Sequence, residues 1–220
     1  MPRAVFFDLD GCLIDSRVPI ARGVNRALTA IGRAARPEAE LHRYIGPPLL
    51  ASFREILSDG GADTALAARC VDLYRAIYPE LARIHTVVVP GVEAMLAAVA
   101  AATRVAVVTS KPAAFARPLL TSTGLDRWIT ELHAPDLDEL EEPKEEALRR
   151  ALSAFAIPPA HGATTWMVGD RSHDIDAGRA CGTATAGVTW GIGDRAELER
   201  AGAEVIADTP DDLARVLLGA

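Results

Sequence analysis

The stretch AVFFDLDGCLIDS, residues 4–16, runs four apolar or small residues into Asp8, and Asp10 follows two positions later. In extended chain, residues two apart project to the same side, so both carboxylates can face one small volume. Two buried carboxylates repel, and desolvation raises the cost of each charge. A divalent metal ion relieves both penalties. The plainer alternative is that Asp10 and Gly11 form a turn. A second acidic group stands in MVGDRSHDIDAG, where Asp170 ends an apolar run at Gly169 and Asp174 follows near a helix start. Oxygen ligands from two loops suit Mg2+, which takes a few carboxylates together with waters and substrate phosphate. Asp176 reads as a helix-capping residue.

Thr109 and Ser110 follow the apolar run VAVV. A hydroxyl and loop N–H groups at such a place can bind phosphate oxygens, although a strand-end Thr is also an ordinary structural residue. Lys144 lies in EEPKEEAL at a helix start, where a cation can neutralise an anion. Among glutamates it can equally be a solvated ion-pair residue. The chain has 23 basic residues, of which only Lys111 and Lys144 are lysines. A lysine kept in such an arginine-rich chain is a stronger functional candidate than usual.

These groups must be held by a scaffold. Val5 to Asp8, RVAVVTS and TTWMVGD read as strands, with WITELHA, TATAGVTW and AEVIAD as weaker ones. Helical patterns fall between them in GVEAMLAAVAA, EEALRRALSAF, DAGRAC and DDLARVLL. Alternation of this kind predicts βαβ units and a parallel sheet covered on both faces. Ligands of such sheets bind beyond the carboxyl ends of the strands, where Asp8, Thr109 and Asp170 stand. Residues 16–85 differ. Ile20, Val24, Leu28 and Ile31 recur at helical spacing, as do Leu66, Cys70, Leu73, Ile77 and Leu81, and Pro-initiated IGPPLLASFREIL adds a further helix. This segment reads as an all-helical insert, and Pro90 and Gly91 mark the return to the sheet.

The 220 residues are half hydrophobic, with a formal charge of −7. The acidic balance speaks against a general nucleic-acid binder and against anionic membrane surfaces. Three cysteines far apart and five scattered histidines make neither a disulfide framework nor a zinc site. Charged residues interrupt the N-terminus at once, as no signal peptide would, and no apolar stretch is long enough to span a bilayer. A cytoplasmic location is the default expectation. Nothing in the sequence sets an oligomeric state.

The four elements DLDG, VVTS, Lys144 and GDRSHD, in this order, resemble the motifs of the haloacid dehalogenase superfamily. IGPPL, TSKP, VGDRSHDI and GVTWGIG are most similar to its phosphoglycolate phosphatase-like and 5′-nucleotidase-like branch. The resemblance implies an α/β fold: a Rossmann-like parallel-sheet core of residues 1–15 and 86–220, with an inserted small α-helical cap at 16–85. It implies Mg2+-dependent hydrolysis of a small phosphorylated metabolite, of phosphoglycolate or 5′-nucleotide type. Asp8 would be the nucleophile and form an aspartyl-phosphate. A carboxylate is already ionised at neutral pH and needs no base for this. Asp10 would protonate the leaving alkoxide and then deprotonate water. Asp8, the main-chain carbonyl of Asp10 and Asp170 would hold the metal, with Asp174 in support, while Thr109, Ser110 and Lys144 would bind the phosphoryl oxygens. Cys12 stands where such families usually have Thr. The cap has no lysine, which speaks against the Schiff-base chemistry of phosphonate-cleaving relatives. A sugar-phosphate mutase remains an alternative, with Arg43 or Arg54 as its cap cation, as does a phosphoacceptor or binding module without turnover. Which of Arg22, Arg26, Arg43 and Arg54 faces the site is left open by periodicity.

Overall fold

The computed structural model describes residues 1–58, 64–139, 141–158 and 164–219. The chain opens with β1 (Ala4–Phe7) and β2 (Ile14–Asp15). It passes through four helices, α1 (Arg17–Ala30), α2 (Glu38–Leu41), α3 (Leu49–Leu57) and α4 (Thr64–His85), and returns in β3 (Val87–Val88). Alternation then begins: α5 (Val92–Ala102), β4 (Arg104–Val108), α6 (Ala113–Thr123), β5 (Glu131–His133), α7 (Lys144–Ala154) and β6 (Thr165–Gly169). It ends with α8 (Ser172–Ala180), β7 (Ala184–Val188), α9 (Arg195–Ala201), β8 (Val205–Ala207) and α10 (Pro210–Leu218).

Six strands form one parallel sheet in the order β5-β4-β1-β6-β7-β8. Every residue of β1 is buried, as a central strand covered on both faces requires. Val5 and Phe7 enter one apolar cluster, and Ala4 and Phe6 the other. The chain leaves β1 for β4 on one side and later crosses to β6 on the other, which makes the carboxyl end of β1 the switch point of the sheet. Phe7 pairs in register with Val107 and Val168. Asp8, Thr109 and Asp170 therefore emerge from three adjacent strands at nearly one level.

The helical insert hangs from a two-residue antiparallel ribbon, Ile14 opposite Val88 and Asp15 opposite Val87, too short to show in any period. Within it α4 packs along α1 and α3. The inward stripe of α4 is not the one that periodicity marks. Leu66, Leu73 and Ile77 are half-buried, whereas Ala67, Cys70, Val71, Tyr74, Tyr78 and Leu81 are buried. The helix is covered on more than one side, so its apolar face is wider than one stripe. Tyr74 and Tyr78 stack with ring centroids 5.0 Å apart, and Phe53 meets Tyr74 edge-on. The sequence reading also passes over α6 and α9. Pro118 inside α6 and the shortness of α9 hide their periods. Among the described residues, no helix is long and apolar enough to cross a membrane.

Candidate active site

Asp8 follows β1 and is 2 % exposed. Its Oδ1 lies 2.8 Å from Lys144 Nζ, and the same ammonium donates a close hydrogen bond to Asp174 Oδ1. Lys144 is the first residue of α7, directly after Pro143, and turns off the helix end into the interior. It is 6 % exposed, which rules out a solvated ion pair. Asp174 sits in the first turn of α8, and its Oδ2 accepts from the Arg171 N–H at 3.0 Å, so it caps the helix and meets Lys144 at once. Asp176 is exposed and stays outside the cluster.

One oxygen each from Asp8, Asp170 and Asp174 lies within 4.8 Å of the others. Asp170 Oδ2 accepts from the Ile192 N–H at 2.6 Å, but its buried Oδ1 has no partner. There is no room for a side chain beside this carboxylate. A Cβ on Gly11, whose φ is +88°, would fall 2.3 Å from Asp170 Oδ2, and a Cβ on Gly191 would come equally near. Three carboxylates face one lysine, an excess of two negative charges in a buried volume. An orphaned oxygen within an all-oxygen donor set fits a hard divalent cation. Burial, with the Asp174 and Asp8 charges, pushes the Asp170 carboxyl well above its ordinary value. Burial also raises Asp8, against the pull of Lys144. Burial opposes the charge of Lys144, but Asp174 and Asp8 outweigh it and hold its ammonium above the ordinary value.

Asp10 lies outside this group of three carboxylates. Ser16 Oγ donates to its Oδ1 at 2.6 Å, and Lys111 Nζ stands 2.8 Å from its Oδ2. Lys111 also donates to the Tyr78 hydroxyl at 2.7 Å, and its main-chain N–H meets Thr109 Oγ1 at 3.2 Å. The sequence reading assigned no role to Lys111 or Tyr78. The rarity of lysine pointed to Lys111 as much as to Lys144, and each ammonium is buried against a candidate aspartate. Thr109 is buried and Ser110 half-buried in the same loop. Burial pushes the Cys12 thiol well up, and its sulfur reaches only Val168 O at 4.0 Å, so it packs rather than reacts. Trp190 ties this loop: its indole N–H donates to Cys12 O at 2.9 Å.

The family model described as haloacid dehalogenase-like hydrolase matches residues 5–188. The chain belongs to the haloacid dehalogenase-like hydrolases. It is 34% identical over 195 residues to a 5′-nucleotidase of Pseudomonas aeruginosa, covering 88% of this chain and 86% of that protein. It is 33% identical over 216 residues to a plasmid-encoded phosphoglycolate phosphatase of Cupriavidus necator, covering 97% and 92%. The crystal structure of a predicted phosphatase from Clostridium acetobutylicum superposes with a TM-score of 0.91 at 29% identity, over the whole of both chains. The chain is a phosphatase of this family, with the α/β fold of its structural neighbours.

In this hydrolase Asp8 and Asp10 floor a cleft of about 830 Å³, open mouth included. Thr109, Ser110, Lys111 and Lys144 share the floor. The opposite wall comes from the helical insert: Tyr44, Ile45, Leu50, Val71, Tyr74 and Tyr78. None of the four arginines left open by periodicity lines it. Arg22 pairs with Glu38, Arg43 with Glu55 and Arg54 with Glu141, and Arg26 is exposed. The insert's cation on the cleft is Arg75 of α4.

Proposed function

We propose that the chain hydrolyses a small phosphomonoester through an aspartyl-phosphate on Asp8, with Mg2+ as its metal and residues 16–85 as a cap over a core of 1–15 and 86–220. The observation that carries this reading is the buried cluster at the sheet's switch point: Asp8 paired with Lys144, beside Asp170 with an unpartnered oxygen. Mg2+ held by Asp8, Asp170, Asp174 and the main-chain carbonyl of Asp10 would supply the charge that keeps Asp8 ionised beside a phosphate dianion. Asp8 attacks phosphorus, and the bond to the ester oxygen breaks. The leaving alkoxide takes a proton from Asp10. The resulting acyl phosphate is hydrolysed when Asp10, now a base, takes a proton from water, and inorganic phosphate leaves with Asp8 restored. Lys144 stays positive throughout and balances charge on Asp8 and on the phosphoryl oxygens, while Thr109 and Ser110 orient those oxygens. Ser16 and Lys111 hold the Asp10 carboxylate in one rotamer between the two proton transfers.

The names of the two relatives point to a phosphoglycolate- or 5′-nucleotide-type ester as substrate. The two arginines named for the mutase alternative, Arg43 and Arg54, pair with Glu55 and Glu141 and do not line the cleft, so among the described residues only Arg75 could serve it as a cap cation. A panel of phosphomonoesters assayed for phosphate release, with Mg2+ and then with a chelator, tests the reading. Mg2+-dependent turnover of at least one ester is expected. Full activity in chelator, or release from none of them, overturns it.

A further inference from the structure

Arg75 lines the cleft, and the proposed chemistry leaves it unused. It stands on α4 between Tyr74 and Ala76, one turn before Tyr78, and lines the cleft above the aspartates. Its Nε is buried and has no hydrogen-bond partner. The guanidinium forms no ion pair among the described residues, whereas Arg22, Arg43 and Arg54 of the same insert each meet a glutamate. Two acidic residues also line the cleft, but neither takes it. Glu142 is held by Arg150 at 2.7 and 2.9 Å, and Glu139 pairs with Glu142 instead. The surrounding wall is Tyr74, Tyr78, Val71 and Phe115. Arg75 is half-buried, and its buried Nε is a donor left for an arriving acceptor.

Its position limits what the anion can be. Residues three apart on a helix are neighbours, about 5–6 Å between Cβ atoms. Tyr78 is such a neighbour of Arg75, and its hydroxyl binds Lys111, which in turn binds Asp10. Arg75, Tyr78, Lys111 and Asp10 line the same cleft, so a group met by Arg75 would belong to the leaving alcohol. A planar fork of donors matches a carboxylate by two parallel hydrogen bonds. We propose that Arg75 is the specificity-determining residue of the cleft and that it reads a carboxylate on the leaving alcohol, so that the substrates are phosphorylated short-chain hydroxy-acids rather than nucleotides. This rests on the phosphomonoesterase reading above.

The test compares the Mg2+-loaded wild type with Arg75→Gln and Arg75→Lys. The substrates are 2-phosphoglycolate and phospholactate, their counterparts without the carboxylate, ethyl phosphate and isopropyl phosphate, a 5′-nucleotide, and p-nitrophenyl phosphate as a generic ester. The wild type should prefer the two acids. Arg75→Gln should lower kcat/KM for the acids by about 10- to 100-fold, mainly through KM, as expected for losing a hydrogen-bonded charge contact. It should change the neutral esters by less than about threefold, and Arg75→Lys should restore part of the loss. A second readout needs no variant: glycolate and lactate should inhibit the wild type competitively at concentrations where ethanol and isopropanol do not. Equal losses on acids and neutral esters, a wild-type preference for the nucleotide, or inhibition that ignores the carboxylate overturns the assignment of Arg75 while leaving the phosphatase reading standing. If the wild type hydrolyses no ester, including p-nitrophenyl phosphate, the phosphatase reading itself fails first.

Discussion

The floor and the roof of the cleft are built on opposite plans. The floor crowds Asp8, Asp170, Asp174 and Lys144 into a buried volume, with Lys144 between Asp8 and Asp174 and one Asp170 oxygen left without a partner. The roof is aromatic and aliphatic, with a lone guanidinium left unpaired. Charges on the floor are fixed by strand ends, a helix start and a capping interaction, so they keep their places whatever binds. The roof rides on helices joined to the sheet by a two-residue ribbon and by side-chain links that include Arg171 donating to Ile45 O at 2.9 Å, Arg54 paired with Glu141 at 2.6 Å and Lys111 donating to the Tyr78 hydroxyl at 2.7 Å. On the proposed reading, preorganised charge serves the reaction, which is the same for every phosphomonoester, and the apolar surface serves selection, which is not.

The largest effect should come from the proposed nucleophile. Asp8→Asn is nearly isosteric and should lower phosphate release by at least about three orders of magnitude while leaving the thermal unfolding of the protein intact. Substantial turnover by the folded variant would move the chemistry off the floor.

Lys144→Ala should cost about two orders of magnitude in kcat, the scale of one transition-state charge contact. Because it leaves Asp8 and Asp174 buried without their cation, the metal-free variant should also lose about 3–5 kcal/mol of stability in denaturant titrations. Lys144→Arg should be impaired too, since a wide planar fork does not fit where a compact ammonium meets two carboxylates. Wild-type rates in both variants would return Lys144 to a purely structural role.

Metal should stabilise the floor in a pH-dependent way. Burial and the neighbouring Asp174 and Asp8 charges raise the Asp170 carboxyl well above its ordinary value. The metal-free fold thus holds a proton that the unfolded chain has released. That contribution is complete below the ordinary carboxylate range and is lost as pH rises through the raised value. A bound cation replaces the proton. The increase in Tm on adding saturating Mg2+ should therefore grow as pH rises above the ordinary carboxylate range. An increase that is constant or shrinks with pH would mean that Asp170 does not face the metal.

The smallest effect should come from the roof's polar contact with the floor. Tyr78→Phe removes the hydroxyl that Lys111 meets but leaves the ion pair with Asp10. Stability should fall by about 1–2 kcal/mol and kcat by less than tenfold. A loss as large as that of Lys144→Ala would show that the roof takes part in the chemistry, and the contrast between the two surfaces would collapse.

Much of this molecule could be read from the chain before folding. Asp8, Thr109 and Asp170 follow apolar runs, and a run covered on both faces is a parallel strand whose carboxyl end is the ligand edge. The carboxylate pair separated by one residue and the rare lysine at a helix start carried the chemical types. Local pattern determines these because strand alternation and helix starts are properties of neighbours in sequence. The tertiary structure alone decided that Lys111 meets Asp10 beneath Tyr78, that Asp10 stands apart from the other three carboxylates, and that Arg75 rather than Arg22, Arg26, Arg43 or Arg54 faces the cleft. The first and the last of those facts depend on how the insert's helices rotate about their own axes against the sheet. That rotation is set by packing such as Tyr74 on Tyr78 and Tyr78 on Phe115. A helical period with apolar residues on more than one side leaves it undetermined, since several rotations bury similar apolar area and only the fit of particular rings chooses between them.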